Sequence, residues 1–227
     1  MKVFRLYLQW GSWVIGLGLQ YLVTLALLSG SFREFPVIFS YLLCLVVTTV
    51  TDILIFLDVG QLGRFSTYYW TADLLRETAM YAVVISLILK VMPNSRRRAS
   101  LLQLLVLSSV LFWVGSLIIY YDPRITVWMV RVVRNLSFCS SVSTLILWFV
   151  LIASEKRDAR LLVVTGGLGL QMTGEAIGQS LLQMSHSTVI PGYLVMVFSH
   201  FLCLFIWWRA FRGSSEREMP LGNSVTV

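Results

Sequence analysis

Eight side chains that carry charge, or can carry it, lie inside otherwise apolar stretches of this sequence. They are Asp52; Asp73, Arg76 and Glu77; Arg131 and Arg134; Glu175; and His200. Even on the gentlest scale, a charge at the centre of a bilayer costs at least ~2.5–3.5 kcal/mol, so such groups face protein or water and hold partners. Asp73 and Glu77 are four apart and Arg131 and Arg134 three apart, so each pair shares one helical face. Gln171, Glu175, Gln179 and Gln183 step by four and make a polar stripe that a lipid-facing helix would not carry.

Two chemistries fit this set. Asp52, Arg76, Arg131 and Arg134 are candidates for interhelical ion pairs that fix register, with the arginines snorkelling toward headgroups. Glu175, Gln171, Gln179, His200, Asp73 and Glu77 are candidates for a water-accessible cavity that binds a polar ligand or ion. Glu175 leads that second set, because it is deepest and its own stretch has no Lys or Arg. Glu175 and His200 each lie roughly 13 Å from the outer end of their helices at 1.5 Å per residue, within reach of one another.

Other chemistries lack their residues. A retinal Schiff base needs a lysine in the last helix, and the lysines are Lys2, Lys90 and Lys156. Bis-histidine haem needs two bundle-facing histidines, whereas His186 falls in a loop and only His200 in a span. The HExxH, GxSxG and Cys-x-x-Cys patterns are absent. Ser199 and His200 are helix neighbours pointing about 100° apart, so they form no dyad. The expectation is a protein without cofactor, metal site or catalytic residues.

The elements that must position these groups follow from composition. Of 227 residues, 57% are hydrophobic and 13% charged, with a mean hydropathy of +0.79. A soluble domain carries about 25% charged residues, so a soluble enzyme, a disordered chain and a disulfide-rich module are excluded. The predicted fold is all-α, a polytopic membrane bundle of seven spanning helices over residues 6–29, 37–57, 70–92, 101–121, 127–153, 161–184 and 192–211. Residues 1–212 form this one domain and residues 213–227 a flexible cytoplasmic tail. The first run is too long for a signal-peptide core and ends without a small-x-small cleavage site, so it is read as a retained span. Cys44, Cys139 and Cys203 all sit in apolar runs and are read as small buried hydrophobes.

The net charge of +7 is read as topology charge beside a membrane, not as a nucleic-acid surface. After odd-numbered spans stand Arg33, Arg96, Arg97, Arg98, Lys156, Arg157, Arg160, Arg209, Arg212 and Arg217. The opposite side holds Lys2, Arg5, Arg64 and Arg124. The positive-inside rule then places the N-terminus outside and the C-terminus in the cytoplasm, with multi-pass residence in the inner (plasma) membrane. Trp10, Trp13, Tyr68 to Trp70, Tyr120, Tyr121, Trp128 and Tyr193 mark the outer interface, and Trp207 and Trp208 the inner one. Ser12 with Gly16, and Gly174 with Gly178, have the spacing for close helix approach.

Several segments carry a family resemblance. They are Arg33-Glu34-Phe35-Pro36 with Tyr41, Tyr68-Tyr69-Trp70 followed by an acid, Val130-Arg131-Val132-Val133-Arg134, the Gly-rich stretch from Gly166 to Glu175, and the Trp-rich end of the last helix. Together they resemble an uncharacterised family of small bacterial seven-helix integral membrane proteins. The family's usual acid near the end of helix 3 is missing, since Ser86 to Lys90 stands there. The resemblance implies the seven-helix layout and no activity. Three functions fit: a receptor or sensor-like module with an outward polar cavity, a small-solute or ion transporter, and an accessory or structural subunit of a larger membrane complex. A sensor would need a cytoplasmic partner reading Arg96–Arg98 or Lys156–Arg160.

Overall fold

The computed structural model describes residues 2–59, 66–91, 103, 107, 110–112, 114–119, 121–123, 125–153 and 159–215. It is helical throughout, with no strand among the described residues. The helices are α1 (Lys2–Ala26), α2 (Pro36–Val59), α3 (Ser66–Val91), α4 (Val110–Ile119), α5 (Ile125–Ala153), α6 (Ala159–Met184) and α7 (Val189–Ser215). Three of them are long and apolar enough to cross a membrane, over Gln9–Ser29, Pro36–Leu57 and Val189–Arg212. In α3 and α6 the acids, arginines, glutamines and glycines dilute the apolar content.

Local chemistry sets the ends. α1 widens into a π-helical turn over Leu27–Ser31, where Gly30 and two serines weaken the α-ladder. Pro36 opens α2 with its fixed φ and without an amide that would lack an acceptor. A 3₁₀ turn over His186–Thr188 carries a capping box between Ser185 and Thr188 and leads into α7. Pro191 lies in the first turn of α7, where proline is tolerated. This helix therefore starts three residues before the predicted boundary. It also runs past it, so Gly213 to Ser215 are helical instead of part of a flexible tail. Lys2 to Arg5 and Ser66 to Tyr69 likewise join helices. Nine residues of the predicted 101–121 span lie outside the described residues, as do Arg64, Arg96–Arg98, Arg124, Lys156–Arg157 and Arg217.

Six helices close a ring in the order α1, α2, α3, α5, α6, α7 and back to α1. α4 meets the ring at the start of α5, where Trp128 Nε1 donates to the Leu117 carbonyl at 3.0 Å. Side chains such as Leu43, Leu54, Ile118, Phe138 and Phe198 point outward and are exposed. One half of the ring interior is solid. Val23 and Leu27 close it from the end of α1, Phe35 to Leu45 from the start of α2, and Met80 to Leu87 from the end of α3. Leu161 to Met172 of α6 and Cys203 to Phe211 of α7 complete the plug. Beneath it, Arg160 Nη1 pairs with Glu34 Oε2 at 3.1 Å. Lys90 Nζ donates to the Glu34 carbonyl at 3.1 Å and sits 3.5 Å from the Phe35 ring centroid.

Trp207 belongs to this plug and not to a headgroup belt. It is fully buried, and its Nε1 donates to the Val164 carbonyl at 2.9 Å. An indole inside protein needs an acceptor, and the helix beside it supplies one. Trp208 is half-buried, with the Arg212 guanidinium 5.5 Å from its ring.

The contact between α6 and α7 is the most extensive in the bundle, and glycine makes it. A Cβ on Gly174 would collide with Ser199, and one on Gly178 with Met196 and with the Gly192 carbonyl oxygen, at 2.8 Å. Gly178→Leu is expected to cost about 2 kcal/mol or more, because a backbone carbonyl cannot swing away. Gly18→Leu, where nothing lies within 4 Å, serves as its control. Equal unfolding midpoints for the two variants in detergent would show that the helices separate freely.

Candidate functional site

The half of the ring opposite the plug holds a cavity of about 350 Å³. Its walls include Ser12, Gly16 and Gln20 of α1, Tyr41 and Asp52 of α2, Asp73, Arg76 and Glu77 of α3, Gln171, Glu175 and Gln179 of α6, and Tyr193 and His200 of α7. The polar stripe of α6 thus faces inward. The outward sides of the helices are apolar, and the amide of Gln171 and the carboxyl group of Glu175 find their partners inside the ring.

Arg76 organises one wall. Its Nη2 pairs with Asp52 Oδ2 at 2.5 Å and its Nη1 with Asp73 Oδ1 at 3.2 Å. Its Nε donates to Thr48 Oγ1 at 2.9 Å, and that hydroxyl donates in turn to the Cys44 carbonyl at 2.9 Å. Asp73 and Arg76 lie one turn apart on α3, so the guanidinium fork spans its own helix and α2 together. Asp52 and Arg76 are the ion pair expected from their types, and they also line the cavity.

Gln171 organises the other wall. Its Nε2 donates to Tyr41 Oη at 3.2 Å and to Glu175 Oε1 at 3.1 Å. The i, i+4 spacing of Gln171 and Glu175 permits the second bond. Glu175 lies about 13 Å from the end of α6 at Met184, and Gln171 roughly 20 Å from it. The floor of the cavity is therefore near mid-bundle. His200 lines the same space from α7, beside the Phe201 ring. Ser12 Oγ and Tyr193 Oη approach to 3.5 Å and tie α1 to α7.

Of the ten site residues expected from sequence, the cavity gathers Glu175, Gln171, Gln179, His200, Asp73, Glu77, Asp52 and Arg76. Arg131 is not among its described lining residues. It pairs with Asp122 Oδ2 at 3.9 Å, at the loop that opens α5, and its side chain is 43% exposed. That acid lies beyond the apolar run, so water shares in solvating the arginine. The side chains of Arg134 and Gln183 lie outside the described residues. Tyr41, Gln20, Thr48 and Tyr193 complete the site without having been singled out for it. Gln20, Tyr41 and Thr48 are uncharged, and a threonine such as Thr48 also bonds its own helix, so residue type alone does not mark them; Tyr193 reads from the sequence as an interface aromatic.

Among the described residues, no three His, Cys, Asp or Glu side chains converge as a metal ion requires. Cys44, Cys139 and Cys203 are free thiols, of which Cys203 is buried and the other two half-buried. No protein-family model matches this chain, and neither does any curated protein or solved structure.

Proposed function

We propose that the chain is a multi-pass protein of the bacterial inner (plasma) membrane whose seven helices span it with the N-terminus outside. In this reading it is a receptor or sensor-like module that takes a small polar ligand from outside. The observation that carries it is the division of the ring: an apolar plug fills one half, and a cavity lined by Asp52, Asp73, Arg76, Glu77, Glu175 and His200 fills the other. Arg160, Lys90 and Arg212 gather at the plugged end, which the positive-inside rule assigns to the cytoplasm. The bacterial seven-helix family that the sequence resembles is part of the same proposal.

Orientation is open to a direct test. In a variant whose three native cysteines are replaced by alanine, Gln179→Cys is expected to react with a membrane-impermeant maleimide on intact cells. Arg160→Cys is expected to react only after permeabilisation. The reverse pattern would invert the bundle.

A transporter is favoured by one feature, the placing of Gln171 and Glu175 near mid-bundle, where alternating access positions its sites. Transport would require the plug to open. It predicts ion-dependent flux in proteoliposomes that Glu175→Gln abolishes, whereas a receptor shows no flux with either chain.

A further inference from the structure

We propose that the cavity takes a small organic ammonium ion, one that presents N–H donors on a positive charge. The proposal rests on the cavity being a ligand site, and it names the chemistry of the ligand.

The first observation is charge. Among the described lining side chains, Asp52, Asp73, Glu77 and Glu175 bring four carboxyl groups, and Arg76 brings the one guanidinium. Arg76 is already divided between Asp52 and Asp73. An acid-rich cavity stands inside a chain of net charge +7. An anion entering it would meet like charge on several walls with little water to screen it.

The second observation is independent of charge. Gln20 and Gln171 belong to the cavity wall, are 2% and 1% exposed, and each has a buried Oε1 atom without a hydrogen-bond donor among the described residues. Asp52 Oδ1 is in the same condition. All three orphaned atoms are acceptors. The orientation of the Gln171 amide follows from its neighbours: a carboxylate only accepts, so the nitrogen must face Glu175 and the oxygen must face away from it. A buried acceptor that has given up water wants a donor. A ligand matching three such acceptors is rich in donors, which a carboxylate is not; a polyol also brings donors but no positive charge to meet the acidic walls, and an alkylammonium brings both.

The remaining walls agree. Trp13, Tyr41, Tyr193 and Phe201 bring aromatic rings, whose faces attract cations. A volume of about 350 Å³ exceeds what a bare ion fills and lies at the lower end of small-molecule sites. The carboxyl groups are spread over α2, α3 and α6 and do not form a metal-binding cluster.

The test uses the purified full chain in detergent at constant ionic strength. Thermal melting is followed against n-butylammonium, tetramethylammonium, butyrate, butanol and sodium. The expected result is a saturable rise in melting temperature with n-butylammonium alone. Glu175→Gln is expected to weaken that response at least tenfold. Gln20→Met is expected to weaken it as much while melting no lower than the native chain, because it removes an unsatisfied acceptor; a purely structural glutamine would do the opposite. As a second readout independent of melting, n-butylammonium should slow maleimide reaction at Gln179→Cys. Stabilisation by butyrate, or no saturable response and no protection by n-butylammonium, overturns the proposal. An equal response to tetramethylammonium also overturns it, since that ion offers no N–H. If n-butylammonium fails while Gln179→Cys is still labelled from outside, the ammonium assignment falls and the outward cavity stands. If labelling fails as well, both fall.

Discussion

Arg76→Leu is expected to destabilise the bundle by about 3–5 kcal/mol, the largest loss of any single change in the cavity wall. The variant leaves Asp52, 8% exposed, without its cation, and it removes the donor to Thr48. The cost is that of an uncompensated buried charge, not the net worth of the pair. The double variant Asp52→Leu with Arg76→Leu should therefore recover much of the loss. Asp73→Ala should cost far less, about 1 kcal/mol or under, because the Asp73 side chain is 40% exposed and water takes the place of its partner. Equilibrium unfolding in mixed micelles separates these cases. A double variant no better than Arg76→Leu would show that the guanidinium acts through packing and not through charge.

Trp207→Ala is expected to cost about 3–5 kcal/mol by opening a cavity in the plug. The ring is fully buried, stands 6.0 Å from Tyr41 between centroids, and packs beside Gly167, where a Cβ would lie 3.3 Å from it. Trp207→Phe should be mild. It removes the Nε1 donor along with its need for an acceptor, and the Val164 carbonyl keeps its place in the α6 ladder. The alanine variant should also disturb the cavity floor, since Tyr41 holds Gln171 from the other side. If it melts like the native chain, the plug is not packed around this ring.

The two experiments probe features that differed in how legible they were. Asp52, Asp73, Arg76, Glu77 and Glu175 were legible one by one, because a carboxylate or guanidinium in an apolar run turns inward or to an interface. Gly174 and Gly178 were legible as a close approach by their spacing, and α7 is the helix they admit. Trp207 reads from the sequence as a headgroup anchor and is instead fully buried. Its place near the end of a span fits both a belt and a core, and only the glycine-thinned face of α6 opposite it decides for the core. Arg131 reads from the sequence as an ion-pairing arginine, and it pairs with Asp122 of the loop before α5 and not with an acid of an apolar run.

From the sequence alone came the helical class, the approximate limits of α1, α2, α3, α5, α6 and α7, and the identity of most charged groups that turn inward. Both are local properties: a run of apolar residues between breakers, and a desolvation cost attached to a single side chain. Tertiary structure alone decided the closed ring, the plug in one half, and the meeting of Gln20, Tyr41 and Gln171 at the floor of the other. The rotation of each helix about its own axis is invisible when its outer and inner faces are equally apolar, for then no amphipathic face marks the inside. That rotation is set only when all six neighbours pack at once, and it is what turned isolated polar residues into the lining of one cavity.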